Sequence, residues 1–207
     1  MRADEEAPRG VLPPAATADG THRRILEVAL ELFGERGFHG VSVRDIADAT
    51  GIRPSSVYAH LASKEALLFE LILMGHQEHN RRLREALAVA GDDPVDRVRA
   101  VVRAHVLAHA EYPLLTAVAN RELHALGAEN AEAVMGVRLD SERALGEPVE
   151  AGIASGVFHV KDRWLAVAAM GAMGIRVAEW WGQRGTYDAE EVADTYADFT
   201  VHFLQGG

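Results

Sequence analysis

The sequence predicts an all-α protein, with an N-terminal three-helix helix-turn-helix domain at residues 21–66 joined to a larger C-terminal helical domain at residues 67–207. Apolar residues recur at helical spacing through both regions. Residues that favour helix starts stand ahead of most of these periodic segments. No segment alternates apolar and polar residues long enough to indicate a strand. Residues 1–20 hold three of the seven prolines and show no helical period, so we expect a disordered arm there.

The most informative segment, residues 41–64, reads as two short helices joined by a tight turn. Ser42 is a good N-cap, and Asp45 stands three residues later in the acceptor position of a capping box. Gly51 can adopt the positive φ that the turn requires, and Pro54 suits the first position of the second helix. The second helix is rich in exposed donors, as is typical of a recognition helix in the major groove: Arg53, Ser55, Ser56, Tyr58 and His60.

The same signals predict the other helices. A helix from Thr21 to about Gly37 precedes this motif, and one of roughly 25 residues follows the N-cap candidate Ser63. Pro148 lies inside a long helical segment, where a kink is expected. The remaining helices are expected at about residues 94–109, 114–126, 129–154, 163–181 and 188–204.

Charge distribution bears on DNA binding, because the chain carries a formal net charge of −10 and DNA-binding domains are usually basic. Residues 21–66 hold six basic and six acidic side chains, so the acid excess lies mainly outside this region. An acidic remainder discourages indiscriminate binding to DNA. The charge therefore weakens a DNA-binding interpretation without excluding it.

Composition and sequence motifs limit which other classes of protein this chain could belong to. Cysteine is absent, which excludes disulfides and thiolate metal sites. We find no signal peptide and no apolar run of membrane-spanning length, so we expect a cytoplasmic protein without a membrane partner. An enzyme would need a chemical motif, yet no His has Glu three places before it, and no phosphate loop or nucleophile elbow occurs. We therefore expect neither an enzyme nor a cofactor.

Residues 21–72 resemble the N-terminal domain of the TetR-type transcriptional repressors. Two departures are that Leu61 replaces the usual Phe and that Arg53 stands where Ser or Thr often caps the recognition helix. The residues that carry the resemblance are Ile25 to Phe33, Gly37, Val43, Ile46, Ala47, Gly51, Ile52, Val57, Tyr58, His60, Leu61 and Ser63 to Leu67.

The resemblance implies a homodimer that binds double-stranded operator DNA, with a C-terminal domain that binds a small-molecule effector. It assigns phosphate contacts to Arg44, Ser56, Tyr58, His60 and Lys64, and base or groove-edge contacts to Arg53 and Ser55. Arg44 could instead pair with Asp48, and Tyr58 and His60 could pack within the domain. The recognition helix has few strong base readers, so DNA shape is expected to contribute to sequence preference.

The last two helices are expected to form the dimer surface, although an ordinary intramolecular core is the alternative. The segment from Glu179 to Ala197 also resembles a subgroup of the family that responds to CoA thioesters and other lipid-like acids. The candidate interface residues are Ala166, Ala169, Met170, Met173 and Gly174 on the first helix, and Val192, Tyr196, Phe199 and Phe203 on the second.

The effector pocket is expected among the central helices, mostly apolar with a few polar groups. His105 and His109 lie one helical turn apart, the spacing of helical metal pairs, but the sequence shows no certain third ligand, so we expect pocket or core histidines rather than a metal site. His76 and His79 are expected on a solvated face. The pocket candidates are Met74, His105, His109, Tyr112, Leu123, Met135, Arg138 and Trp180.

These observations predict a ligand-responsive repressor that binds a near-palindromic operator as a homodimer and is released by a small, lipid-like or acyl-CoA effector. The alternative is a helical sensor or scaffold protein that no longer binds DNA, which the neutral charge of residues 21–66 would explain.

Overall fold

The computed structural model describes residues 11–14, 20–184 and 187–206. Within these ranges the chain is helical, and no described residue lies in a strand. A short 3₁₀ turn at Leu123–Ala125 separates the sixth and seventh helices. The helices are α1 (Gly20–Arg36), α2 (Val43–Thr50), α3 (Pro54–His60), α4 (Lys64–Val89), α5 (Pro94–Glu111), α6 (Pro113–Arg121), α7 (Ala128–Ala154), α8 (Arg163–Arg184) and α9 (Ala189–Leu204).

The helix-turn-helix forms as its capping residues predict. The Ser42 backbone N–H donates to the Asp45 carboxylate at 2.7 Å, and the Asp45 N–H donates to Ser42 Oγ at 3.1 Å, which completes the capping box. Gly51 ends α2 with φ of 76°, and Pro54 opens α3. Arg53 precedes α3 without a side-chain capping bond, so the departure noted in the sequence leaves this helix start uncapped.

Other boundaries differ from the prediction at helix ends. The helix expected at residues 114–126 ends at Arg121, because the chain tightens into the 3₁₀ turn before α7. α7 continues through Pro148 to Ala154, and the Pro148 side chain is buried. α8 extends three residues past the predicted end at Trp181. None of the described helices has an apolar stretch that could span a bilayer.

Two apolar cores lie along the molecule, and α4 contributes to both. The first joins α1, α2 and α3 with the N-terminal half of α4, with α6 and with the start of α7. The second joins the C-terminal half of α4 with α5, α7, α8 and α9. Leu68 and Ile72 are buried in the first core, whereas Leu83 and Leu87 are buried in the second. A displacement of α4 therefore affects both cores.

The expected N-terminal arm lies mostly outside the described residues. Of its residues 11–14, Leu12 is buried in the first core. Arg23 Nη2 donates to the Leu12 carbonyl at 3.0 Å, and Arg23 Nη1 donates to the Pro13 carbonyl at 3.3 Å. These contacts fix this short segment against α1, which the expectation of disorder did not anticipate.

Candidate DNA-binding and effector sites

The outer face of α3 carries most of the predicted recognition side chains. Arg53, Ser55 and His60 are exposed, and Tyr58 is 56% exposed. Val57 points inward and is buried in the first core. The alternative that Tyr58 and His60 pack inside the domain does not match this exposure, although the His60 ring meets the His22 ring at 5.8 Å. Ser56 is half-buried.

Arg44 lies on α2 with its side chain 84% exposed. Its Nε is 3.8 Å from the Asp48 carboxylate one turn later, which is a long ion pair between two solvated groups. Such pairs contribute at most about 1 kcal/mol. The pairing that the sequence suggested is therefore present, but it costs little to break when a phosphate approaches.

Lys64 has partners within the chain. Its Nζ donates to the carbonyls of Phe38 at 2.7 Å and Val41 at 2.6 Å, and lies 4.1 Å from the centre of the Phe38 ring. Partial burial lowers the pKa of Lys64. These bonds attach the connector between α1 and α2 to the start of α4. The predicted phosphate contact stays a prediction, and it has only one ammonium proton left to use.

A cavity of about 360 Å³ lies among α4, α5, α6, α7 and α8. Such a volume suits a drug-sized ligand. Four of the eight predicted effector residues line it: His105, His109, Met135 and Arg138.

The other four predicted residues do not line this cavity. Met74 and Leu123 pack against the first core. Tyr112 is buried in that core beneath the Arg82 guanidinium, 5.3 Å from the ring centre. Trp180 packs against the second core, with its ring 6.5 Å from that of Tyr196. In this structure these four side chains pack against the cores rather than lining the cavity.

The expectation that His76 and His79 lie on a solvated face is wrong. They are 7% and 9% exposed, and both line the cavity. Both continue the buried stripe of α4 that runs through Ile72 and Leu83 at spacings of three and four residues. The spacing of these residues along α4 was the sequence signal that could have predicted the burial of His76 and His79. The polar cavity residues Thr116 and Asn120 on α6 were missed because nothing in the sequence marks them.

Arg138 provides the positive charge in the cavity wall. Its Nη1 donates to Asn120 Oδ1 at 3.0 Å, and no carboxylate among the described residues lies within ion-pair distance of it. Burial lowers the pKa of Arg138, while Glu142 acts in the opposite direction. Because a half-buried guanidinium without a counter-ion is costly, this arrangement favours an anionic ligand.

Three imidazoles meet on one side of the cavity. His79 Nε2 lies 2.7 Å from His105 Nδ1, and the ring of His109 is 4.6 Å from that of His105. Burial lowers the pKa of His109 to about 3 and of His76 to about 4, and it lowers the pKa values of His79 and His105. All four rings are therefore neutral near pH 7.

Part of the expected dimer surface is buried within the chain itself. Among the candidate residues, Ala166, Met170 and Val192 are buried in the second core, and Gly174 packs against His105. For these four residues, the structure matches the alternative of an ordinary intramolecular core. The outward faces of α8 and α9 nevertheless expose large apolar side chains: Trp164, Leu165, Phe199 and Phe203.

Family models match both parts of the chain. Residues 25–71 match the bacterial regulatory proteins of the tetR family. Residues 91–204 match the tetracyclin repressor-like C-terminal domain. The second match alone covers more than half of the chain.

Individual relatives agree. The transcriptional repressor KstR2 of Rhodococcus jostii (strain RHA1) is 26% identical over 196 residues, which are 93% of this chain and 96% of KstR2. The regulator UidR of Escherichia coli (strain K12) is 40% identical over 70 residues, 34% of this chain, so the match spans 36% of UidR. The structure of AibR with isovaleryl coenzyme A and operator DNA shares the fold at 23% identity, with a TM-score of 0.77 over 87% of this chain and 97% of AibR. The chain belongs to the TetR family of helix-turn-helix transcriptional regulators.

Proposed function

We propose that this protein is a transcriptional repressor that binds a near-palindromic operator as a homodimer and is released by a small organic anion with an apolar tail. The observation that carries the proposal is that α4 and α6 connect the domain of the exposed recognition helix to the cavity among the central helices. As a DNA-binding regulator it would act in the cytoplasm.

The first connection runs through α4. Its first residues contact the helix-turn-helix through Lys64, while Gly75, His76 and His79 line the cavity. Glu65 accepts hydrogen bonds from the Gly127 N–H at 2.8 Å and from Asn130 Nδ2 at 3.0 Å, so the start of α4 is also bound to the start of α7. A ligand that separates α4 from α7 would change the position of the recognition helix α3.

The second connection runs through α6. Thr116 and Asn120 face the cavity, and Arg121, the last residue of α6, donates to the Phe33 carbonyl in α1 at 2.7 Å. Leu114, at the other end of α6, lies against Gly34. An effector that binds one position of α6 more tightly therefore biases the orientation of α1, and with it the spacing of two recognition helices in a dimer.

The chemistry of the cavity supports an effector of the lipid-acid class. Its wall is mainly apolar, and Arg138 is placed to hold a carboxylate, a phosphate or a thioester carbonyl. AibR, of the same fold, was solved with isovaleryl coenzyme A. A cavity of about 360 Å³ holds an acyl chain, so most of a coenzyme A group would lie outside it.

Dimerisation through α8 and α9 is supported by the apolar side chains on their outer faces. Leu165 is 59% exposed and Phe199 is 61% exposed. Exposed large apolar side chains grouped on one part of a protein surface often mark interaction sites. A twofold axis at this surface would pair the two copies through equivalent residues, as a near-palindromic operator requires.

Effector binding can be tested without DNA. Purified protein is titrated with free fatty acids and acyl-CoA thioesters of increasing chain length, and binding is followed by thermal shift and calorimetry. Arg138→Ala should lose at least about tenfold in affinity, whereas Arg143→Ala, on the solvated side of α7, should bind as the wild type does. Equal affinity of the two variants would contradict the assignment of Arg138.

A further inference from the structure

We propose that His79, His105 and His109 form a binding site for a divalent first-row transition metal ion of the Zn²⁺ type in the wall of the cavity. The inference concerns metal binding by the protein alone and does not require operator binding. The sequence suggested only the His105 and His109 pair; the fold supplies the third imidazole from α4.

The positions of the ligand atoms carry the proposal. One ring nitrogen from each of the three histidines lies within 4.8 Å of the other two. In a tetrahedral zinc site with bonds of about 2.0–2.1 Å, neighbouring nitrogens lie about 3.3 Å apart. His79 Nε2 and His105 Nδ1 are 2.7 Å apart, so this pair must separate to about 3.3 Å, and any wider pair, up to 4.8 Å, must close, for one ion to be held by all three rings.

Hydrogen bonds to backbone carbonyls select the required tautomers. His105 Nε2 lies 3.0 Å from the Gly171 carbonyl, to which it must donate, so the lone pair of His105 is at Nδ1. His109 Nδ1 lies 2.8 Å from the His105 carbonyl, which leaves its lone pair at Nε2. Histidines that bind metals commonly donate their other ring N–H to a carbonyl or carboxylate in this way.

The third ligand, His79, shares a proton with His105 in the metal-free protein. Its Nε2–H donates to His105 Nδ1. For both nitrogens to hold an ion, this proton would be transferred to His79 Nδ1 and the two nitrogens would move apart to about 3.3 Å. No oxidation or net proton release is needed.

Helix α8 packs closely against the His105 ring. A Cβ on Gly174 would lie 2.1 Å from His105 Cδ2, so only glycine leaves room for the ring in this position. Burial keeps the three imidazoles neutral near pH 7, which is the form that binds metals.

Three protein ligands leave a fourth position open toward the cavity. Such sites hold water or a ligand group as the fourth donor. Imidazole ligands favour Zn²⁺, Co²⁺, Ni²⁺ and Cu²⁺ over Mg²⁺ and Ca²⁺. The ion would therefore stand beside Arg138 as a second positive group in the cavity.

Cobalt provides a direct probe. Tag-free, chelator-treated protein is titrated with Co²⁺, and visible absorption is recorded; a tetrahedral three-histidine site should give intense d–d bands that saturate at one ion per chain. Zn²⁺ added afterwards should remove the bands. Saturation below one ion per chain, or weak octahedral bands only, would overturn the proposal.

Variants separate this site from adventitious binding. His79→Gln and His109→Gln should each weaken Co²⁺ binding by about 100-fold or more. His124→Gln, on the surface, should bind within about threefold of the wild type. Circular dichroism and thermal melting confirm that each variant is folded. If folded His79→Gln and His109→Gln bind Co²⁺ as the wild type does, the site is not this cluster.

Discussion

Arg121 in α6 and Phe33 near the end of α1 are joined by a hydrogen bond of 2.7 Å, from the guanidinium Nη2 to the main-chain carbonyl. A second bond from the same nitrogen reaches the Gly34 carbonyl at 3.2 Å. Because α6 also forms part of the cavity wall, this side chain links the effector site to the first helix of the DNA-binding domain.

Arg121→Ala should weaken effector release more than operator binding. The side chain is half exposed and also pairs with the buried Glu122, so the loss of stability is measured separately by urea denaturation, while operator affinity without effector should change by less than about threefold. The shift in operator affinity at saturating acyl-CoA should fall by about 1 kcal/mol, roughly fivefold. Fluorescence anisotropy with labelled operator measures both quantities. An unchanged shift would mean that α6 does not transmit the signal through this bond.

Ser42→Ala should lower the free energy of unfolding by about 1 kcal/mol, because it removes one half of the capping box of α2. Urea denaturation followed by circular dichroism measures the change. The control is Ser55→Ala on the exposed face of α3, which should stay within about 0.5 kcal/mol of the wild type. Equal stabilities of the two variants would contradict the structural role of Ser42.

Arg53→Ala and Arg44→Ala should weaken operator binding in different ways. Loss of a base contact at Arg53 should cost about 1–3 kcal/mol and relax sequence preference. Loss of a phosphate contact at Arg44 should weaken binding to all sequences and reduce the salt slope by about one. Anisotropy titrations at several salt concentrations, with operator and with scrambled DNA, distinguish the two. Arg143→Ala serves as the distant control.

Phe199→Asp should disrupt the homodimer. A charge placed among the exposed apolar residues of α8 and α9 opposes burial at the proposed interface. Light scattering after size exclusion should show a monomer, and operator affinity should fall by at least tenfold, since paired half-sites are no longer bound together. A dimer of unchanged stability would place the interface elsewhere.

Gly174→Ala should displace the His105 ring, because the added Cβ would overlap it. The expected results are a lower melting temperature and Co²⁺ binding weakened by at least about tenfold. Gly171→Ala is the matched control, since a Cβ at that position meets no atom within 4 Å. Equal cobalt affinity in both variants would argue against the ring geometry described above.

The helices of the DNA-binding domain could be predicted because their ends depend on residues that are close together in the sequence. Ser42, Gly51 and Pro54 act through contacts within a few residues, and the exposure of α3 follows from Val57 being its buried anchor. The partners of Lys64 could not be read from the sequence, since its two carbonyl acceptors lie 26 and 23 residues away.

The cavity depends on packing between helices that are distant in sequence, and four of the eight predicted residues do not line it. Trp180 and Tyr112 were expected to contact the ligand. Both side chains instead pack in or against the cores, where the burial of large apolar groups is favourable. His79 was expected on a solvated face, but its position on the buried stripe of α4 places it in the cavity wall. The pairing of His79 with His105 joins residues 26 positions apart and needed the fold.

Operator binding and its release test the central claim most directly. Labelled DNA from the region flanking the gene is titrated with the protein, and saturating acyl-CoA or fatty acid is then added. The proposal predicts sequence-selective, salt-sensitive binding by a dimer and a loss of affinity of at least fivefold on effector addition. Absence of selective, salt-sensitive binding to any tested sequence would contradict it and favour a helical sensor that does not bind DNA.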